Sequence, residues 1–169
     1  DGLAYFLAFL RTGKREYFDA GMANCRHVQD IDIFNWGPQK GYGHTRHNVN
    51  HWGDGDTEIR TSQPSVQRLY YYLTGDLRTK DVIEDVVDGL YLNLKIHSTA
   101  DMGAVLYGLL VRWEMTGDPK WRDRALAVCR AYGEYMAPDG GLPHTGIRIE
   151  ASTGRRLSEP NVEAADYSG

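Results

Sequence analysis

Apolar residues in this chain recur mostly at steps of three and four, the period of helices that bury one face. Leu3, Phe6, Leu7 and Leu10 mark a first stripe, and Phe18, Cys25, Val28 and Ile31 a second. Val66, Leu69, Tyr70 and Leu73 follow, after a Pro64 that suits a first helical turn. Val82, Val86, Leu90 and Leu94, flanked by Ile83 and Val87, make a fourth stripe. Val105, Leu106, Leu109, Leu110 and Trp113 make the fifth, and Trp121, Ala125, Val128, Tyr132 and Met136 the sixth. The pattern predicts helices over 2–12, 15–33, 63–74, 79–95, 101–115 and 119–136.

These helices come in pairs. Thr-Gly-Lys at 12–14 returns as Thr-Gly-Asp at 74–76 and at 116–118, each time between two apolar stripes. Gly just past a helix end suits a left-handed cap, so each copy reads as the turn of a helical hairpin. Three hairpins in sequence predict an all-α chain, either part of an (α/α) toroid or an open helical array. A closed toroid needs about twice as many hairpins, so residues 1–169 read as one domain that is a piece of a larger multidomain protein. Apolar faces left by the missing hairpins would then favour self-association. The connection over 96–100 is short. The tail from 137 carries PDGG, then Leu142, Ile147 and Ile149 among polar residues, and predicts a small β-ribbon or a further loop. Of the consecutive Tyr70, Tyr71 and Tyr72, helical geometry sends at least one to the core and one to the surface.

One stretch breaks the pattern. From Gly41 to Thr61 the chain reads GYGHTRHNVNHWGDGDTEIRT, with Val49 and Ile59 as its only aliphatic residues. Half of the six histidines lie here, as His44, His47 and His51. Such a segment is too polar for a core element, and the 34–62 connection is long enough to be functional. The H-x2-H-x3-H spacing would allow a metal on a helix, but no cysteine and no strong zinc signature accompanies it. Asp54, Asp56 and Glu58 resemble the opening of a calcium loop, yet Ser65 stands where the closing Glu of an EF-hand belongs. No cofactor is called for, although an irregular site for a divalent cation such as calcium stays open.

The chemistry favoured by this mixture is proton transfer on an acidic sugar. His44, His47 and His51 supply groups that titrate near neutrality. Arg46 and Arg60 can grip a carboxylate through paired hydrogen bonds. Trp52 can stack on a sugar face, and Tyr42, Asn50, Asp54, Asp56 and Glu58 can bind hydroxyls. A base, an acid and a carboxylate neutraliser are what β-elimination from a uronic acid demands. We therefore take His44, His47, His51 and Arg60 as candidate catalytic residues and the others as substrate contacts. His144 and Arg148 follow the third hairpin and join the binding group, with His97 behind them. His27, Asp30 and Asp32 read as anchors of the long connection.

Composition trims the alternatives. A formal net charge of −4 offers no basic field for nucleic acid, and no run of residues is apolar enough for a membrane span. Eleven tyrosines and four tryptophans suit stacking on sugar rings. Cys25 and Cys129 fall at core-like positions and read as buried free thiols, which leaves the compartment open; the lyase reading implies secretion or the periplasm.

The TGD turns at 74–76 and 116–118 resemble those of six-hairpin, α/α-toroid carbohydrate-active enzymes. The block HNVNHWGDGDTEIRTSQPSVQRLYYYLTGD at 47–76 and the segment CRHVQDID at 25–32 are similar to the toroid domain of rhamnogalacturonan exo-lyase-like proteins. The resemblance implies a polysaccharide lyase acting on pectin-type chains of alternating rhamnose and galacturonate, with β-rich domains elsewhere in the parent polypeptide. Two other readings stay open. One is a glycoside hydrolase, pairing Asp54, Asp56 or Glu58 with Asp30, Asp32 or Asp101 as its two carboxyl groups. The other is a carbohydrate-binding or scaffold module without catalysis.

Overall fold

The Thr-Gly turns recur as one structural device. In this computed structural model, which describes residues 2–44, 57–59, 62, 64–90, 95–141 and 145–157, they join six α-helices into three hairpins. The hairpins are α1 (Gly2–Thr12) with α2 (Arg15–His27), α3 (Ser65–Thr74) with α4 (Leu77–Glu84), and α5 (Thr99–Thr116) with α6 (Pro119–Gly133). At each turn the glycine adopts a left-handed φ of 67–70°, and its N–H reaches back to the carbonyl of Phe9, Tyr71 or Trp113 at 2.7–2.8 Å. The preceding threonine does two jobs. Its hydroxyl donates to the carbonyl four residues back, in all three copies at 2.7 Å. The same oxygen accepts the N–H two residues on, at 3.2–3.3 Å. Asp76 and Asp118 then cap the next helix, accepting from Thr79 and Lys120. Lys14, in the first copy, has no acceptor to offer, and α2 starts without a side-chain cap.

Two of the second helices do not end cleanly. α2 runs on into a π-turn at Val28–Asp32, and α4 into another at Asp85–Leu90. The wider winding of the second turn keeps Val86 and Val87 buried alongside Val82 and Ile83. The segment expected as a plain connection before the third hairpin is a strand, β3 (Lys95–Ser98), and α5 begins directly after it. The expected tail ribbon is β4 (Thr145–Glu150), antiparallel to β3 with Ile96 opposite Ile149. Ile96, Ile147 and Ile149 point into the core that the second and third hairpins share. A smaller cluster of Phe6, Cys25, Val66 and Tyr70 fastens the first hairpin to α3.

Several apolar positions do not go inside. Leu7 and Leu10 of α1, Leu110 and Trp113 of α5, and Met136 are exposed. Tyr70 is core and Tyr72 surface, as consecutive helical residues require. Among the described residues Arg112 is the buried exception to exposed charge. Its guanidinium donates to both Asp88 oxygens at 2.6 Å and lies 3.3 Å from Glu84 and 5.5 Å from the Trp121 ring. Carboxylate pairing offsets the cost of removing this cation from water.

The expectation of two buried thiols holds for Cys25 alone; Cys129 is exposed, because it sits one residue past Val128 and so turns off the core face of α6. Burial first, and the nearby negative charge of Asp76 next, push the Cys25 thiol up to about 12. A thiol reacts as its thiolate, and a raised pKa suppresses that form. Burial raises the Cys129 thiol as well, but that side chain is open to reagent, so a disulfide reagent at neutral pH should titrate Cys129 in the folded protein and Cys25 only after unfolding. Two fast thiols in the folded state would contradict this packing.

Candidate functional site

The polar connection is built outward from the end of α2. The first π-turn delivers Ile33 to the core, and Ile33 bridges Gly43 in antiparallel fashion. Between them the chain makes a tight hairpin: Phe34 N–H donates to the Tyr42 carbonyl at 2.8 Å, and Gly41 N–H to the Phe34 carbonyl at 2.9 Å. Gly37 and Gly41 take left-handed φ values of 80° and 89°, which fold the tip without strain. Strand β1 (Gly43–His44) then pairs with β2 (Thr57–Glu58), with Gly43 opposite Glu58 and His44 opposite Thr57. The segment 45–56 thus leaves from His44 and returns at Thr57 side by side. Ile59 anchors the returning strand in the core, and buried Ser62 donates to the Ile59 carbonyl at 2.8 Å before α3 begins.

Side chains brace this neck from behind. Asn35 Nδ2 donates to the carbonyls of Gln29 at 3.0 Å and Ile33 at 3.1 Å, locking the π-turn. Arg78 of α4 donates to Asn35 Oδ1 at 2.5 Å. Buried Thr79 donates to Gln29 Oε1 at 2.9 Å, and Lys40 reaches Asp85 at 2.7 Å. His27 lies 3.4 Å from Asp32, in keeping with an anchoring role.

The sequence candidates divide accordingly. Tyr42 is half-buried against the main core, and burial raises its phenol above the ordinary value. It stays protonated at neutral pH, suited to donating a hydrogen bond rather than to taking a proton. His44 and Glu58 are placed by their backbones at the neck, on adjacent strands. Arg46, His47, Asn50, His51, Trp52, Asp54, Asp56, Arg60 and His144 lie outside the described residues. Arg148 and His97 are exposed on the outer face of the β3–β4 ribbon, since their neighbours Ile96, Ile147 and Ile149 take the inner one. Among the described residues no hydrogen bond or ion pair joins either of them to the 33–44 hairpin, and no group of three or more His, Cys, Asp or Glu could hold a metal ion. No helix among the described residues is long and apolar enough to cross a membrane.

One feature of this region escaped the sequence pattern. The π-turn and the 33–42 hairpin border an open hollow of about 380 Å³ running from Asp30 to Gln39, with Trp36 84% exposed at its edge. The signal available was Asn35-Trp36-Gly37-Pro38, a tryptophan set in turn-forming residues where it has little chance of burial.

Comparison with known proteins supplies the family. The uncharacterized protein YetA of Bacillus subtilis (strain 168) is 43% identical over 88 residues, which cover 52% of this chain and 10% of that protein. The matched part is therefore about a tenth of YetA's length. Residues 2–96, which hold the first two hairpins, the neck and the polar segment, match the PcRGLX-like protein C-terminal alpha/alpha toroid domain. The match takes in more than half of the chain and agrees with its helical hairpins, and the chain belongs to this family of toroid domains from rhamnogalacturonan lyase-like proteins.

Proposed function

We propose that this domain serves a polysaccharide lyase that cleaves a uronate-containing, pectin-type chain by β-elimination. The observation that supports this best is the pairing of β1 with β2, which fixes both ends of the polar segment on a braced neck inside a toroid domain of a lyase-like family. In this reading one of His44, His47 and His51 removes the proton beside the uronate carboxylate. The electrons form a carbon–carbon double bond, the glycosidic C–O bond breaks, and the departing oxygen takes up a proton. Arg60, with Arg46, offsets the negative charge that gathers on the carboxylate. Trp52 stacks on a ring; Tyr42, Asn50, Asp54, Asp56 and Glu58 hold hydroxyls, with His144 and Arg148 farther along the chain. The exposed Leu7, Leu10, Leu110 and Trp113 suit contact with further hairpins of a longer parent polypeptide.

The test is the product. The parent polypeptide, incubated with rhamnogalacturonan, should release oligosaccharides that carry an unsaturated uronate and absorb in the ultraviolet. Cleavage without that chromophore would replace elimination by hydrolysis. Binding without any cleavage would leave a carbohydrate-binding or scaffold module.

A further inference from the structure

We infer that the hollow between the first π-turn and the 33–42 hairpin is a sugar subsite that takes a neutral pyranose ring, with Trp36 as its platform. The inference rests on the carbohydrate reading above and adds a position and a charge preference to it. Its volume, about 380 Å³, falls within the size of small-molecule sites, roughly 300–1,000 Å³. A tryptophan 84% exposed on a turn gains little from packing, yet it offers a broad apolar face with a polar N–H at its rim. Sugar rings present the complement, an apolar C–H face edged by hydroxyls.

The polar lining decides which sugar. Among the described residues Asp30 is the one charged side chain in the wall. Its Oδ1 pairs with the Arg78 guanidinium at 3.7 Å, too long for a hydrogen bond, and the side chain is half exposed. It therefore keeps acceptor capacity for sugar hydroxyls. Arg78 also donates to Asn35, and Asn35 is occupied with the π-turn carbonyls. Arg78 is already matched by the Asp30 carboxylate, so a uronate here would have to compete with Asp30 for that cation, whereas a neutral ring needs none.

The position suits a chain that also reaches the neck. Ile33 at the hollow bridges Gly43, and Gly43 pairs with Glu58. The hollow thus lies within about two strand spacings of the neck, on the order of 10 Å, a separation a short oligosaccharide spans. The walls are also pre-set, because Asn35 and Arg78 brace the π-turn before any ligand arrives.

The experiment is a binding titration that requires no turnover. L-rhamnose, galactose and galacturonate are added in turn to the 169-residue chain and to its parent polypeptide, with the Trp36 indole N–H followed by NMR and assigned through Trp36→Phe. Rhamnose or galactose should shift this signal, and galacturonate should do so at least tenfold more weakly. Trp36→Ala should weaken the neutral sugar by about tenfold, with Trp36→Phe between the two. Asp30→Asn should narrow the gap between neutral and acidic sugars. No response to either neutral sugar, equal response to galacturonate, or a Trp36 buried by other parts of the parent chain would each overturn the subsite. Loss of elimination chemistry with binding intact would count against the lyase reading alone.

Discussion

Replacing His47 and His51 together, as His47→Ala with His51→Ala, is expected to lower turnover of the parent polypeptide on rhamnogalacturonan by about a hundred- to ten-thousandfold, the usual contribution of a positioned general acid or base. The pair is chosen because both lie between β1 and β2, where removing one leaves the other as a substitute, while His44 belongs to β1 itself. The direction with pH follows from the role. A base must be neutral to accept a proton, so activity should rise as pH passes the ordinary histidine value of about 6.5. Tyr42 does not compete for that role, because burial raises its phenol and keeps its proton in place. Tyr42→Phe should therefore act mainly on substrate affinity. Unchanged turnover in the double-histidine variant would move the base elsewhere, and the absence of turnover in both proteins would favour the binding-module reading.

Phe6→Ala is expected to cost about 3–5 kcal/mol of stability, the range for a buried Phe truncated in a core. At this chain length that lowers the melting temperature on the order of 10 °C. Phe6 is fully buried and stacks on Tyr70 of α3, with ring centroids 6.0 Å apart at 24°. It also meets the edge of Phe18 of α2 at 6.0 Å and 65°. One ring thus joins all three helices of the smaller cluster. Gly21 is part of the same fit, since a Cβ there would stand 2.8–3.0 Å from the Phe6 ring. Gly21→Ala alone should destabilise, although alanine is the better helix former by about 1 kcal/mol. Combined with Phe6→Ala it should stabilise, because the collision is gone and the cavity is partly filled. Thermal unfolding of the four proteins reads this change of sign directly. A melting point indifferent to Phe6→Ala would mean that α1 is not docked on α3. The first hairpin would then be independent of the scaffold that carries the neck.

Local rules account for what could be read from the chain alone. Helical periodicity and the threefold Thr-Gly turn are both short-range, so the three hairpins were legible, although the helix expected over 79–95 gives way to a π-turn at Asp85 and Lys95 belongs to β3. So was the polar segment, because a run with so few aliphatic residues has no way into a core. The π-turns were not, since Val28–Asp32 and Asp85–Leu90 differ from α-helix only by a register that neighbouring packing selects. Leu7, Leu10 and Trp113 follow the helical period yet face outward, because period marks a face but not what covers it.

Tertiary structure alone decided the geometry around the candidate site. The pairing of Gly43–His44 with Thr57–Glu58, and of Lys95–Ser98 with Thr145–Glu150, joins residues distant in the chain. Three of these strands are two to four residues long and carry almost no local signal, and the six-residue β4, in the tail where a ribbon or loop was expected, gave no sign of its partner. The hollow beside Trp36 is lined by residues of one stretch, Asp30 to Gln39, whose π-turn is held by Asn35 and, through Asn35, by Arg78 of the second hairpin. Sequence therefore determined the repeated helical hairpin and the chemical character of its long polar connection, since both follow from which residues stand next to one another. Where that connection is pinned, and what concave surface lies beside it, depended on contacts between distant segments, whose closure entropy is repaid only by packing in the folded whole.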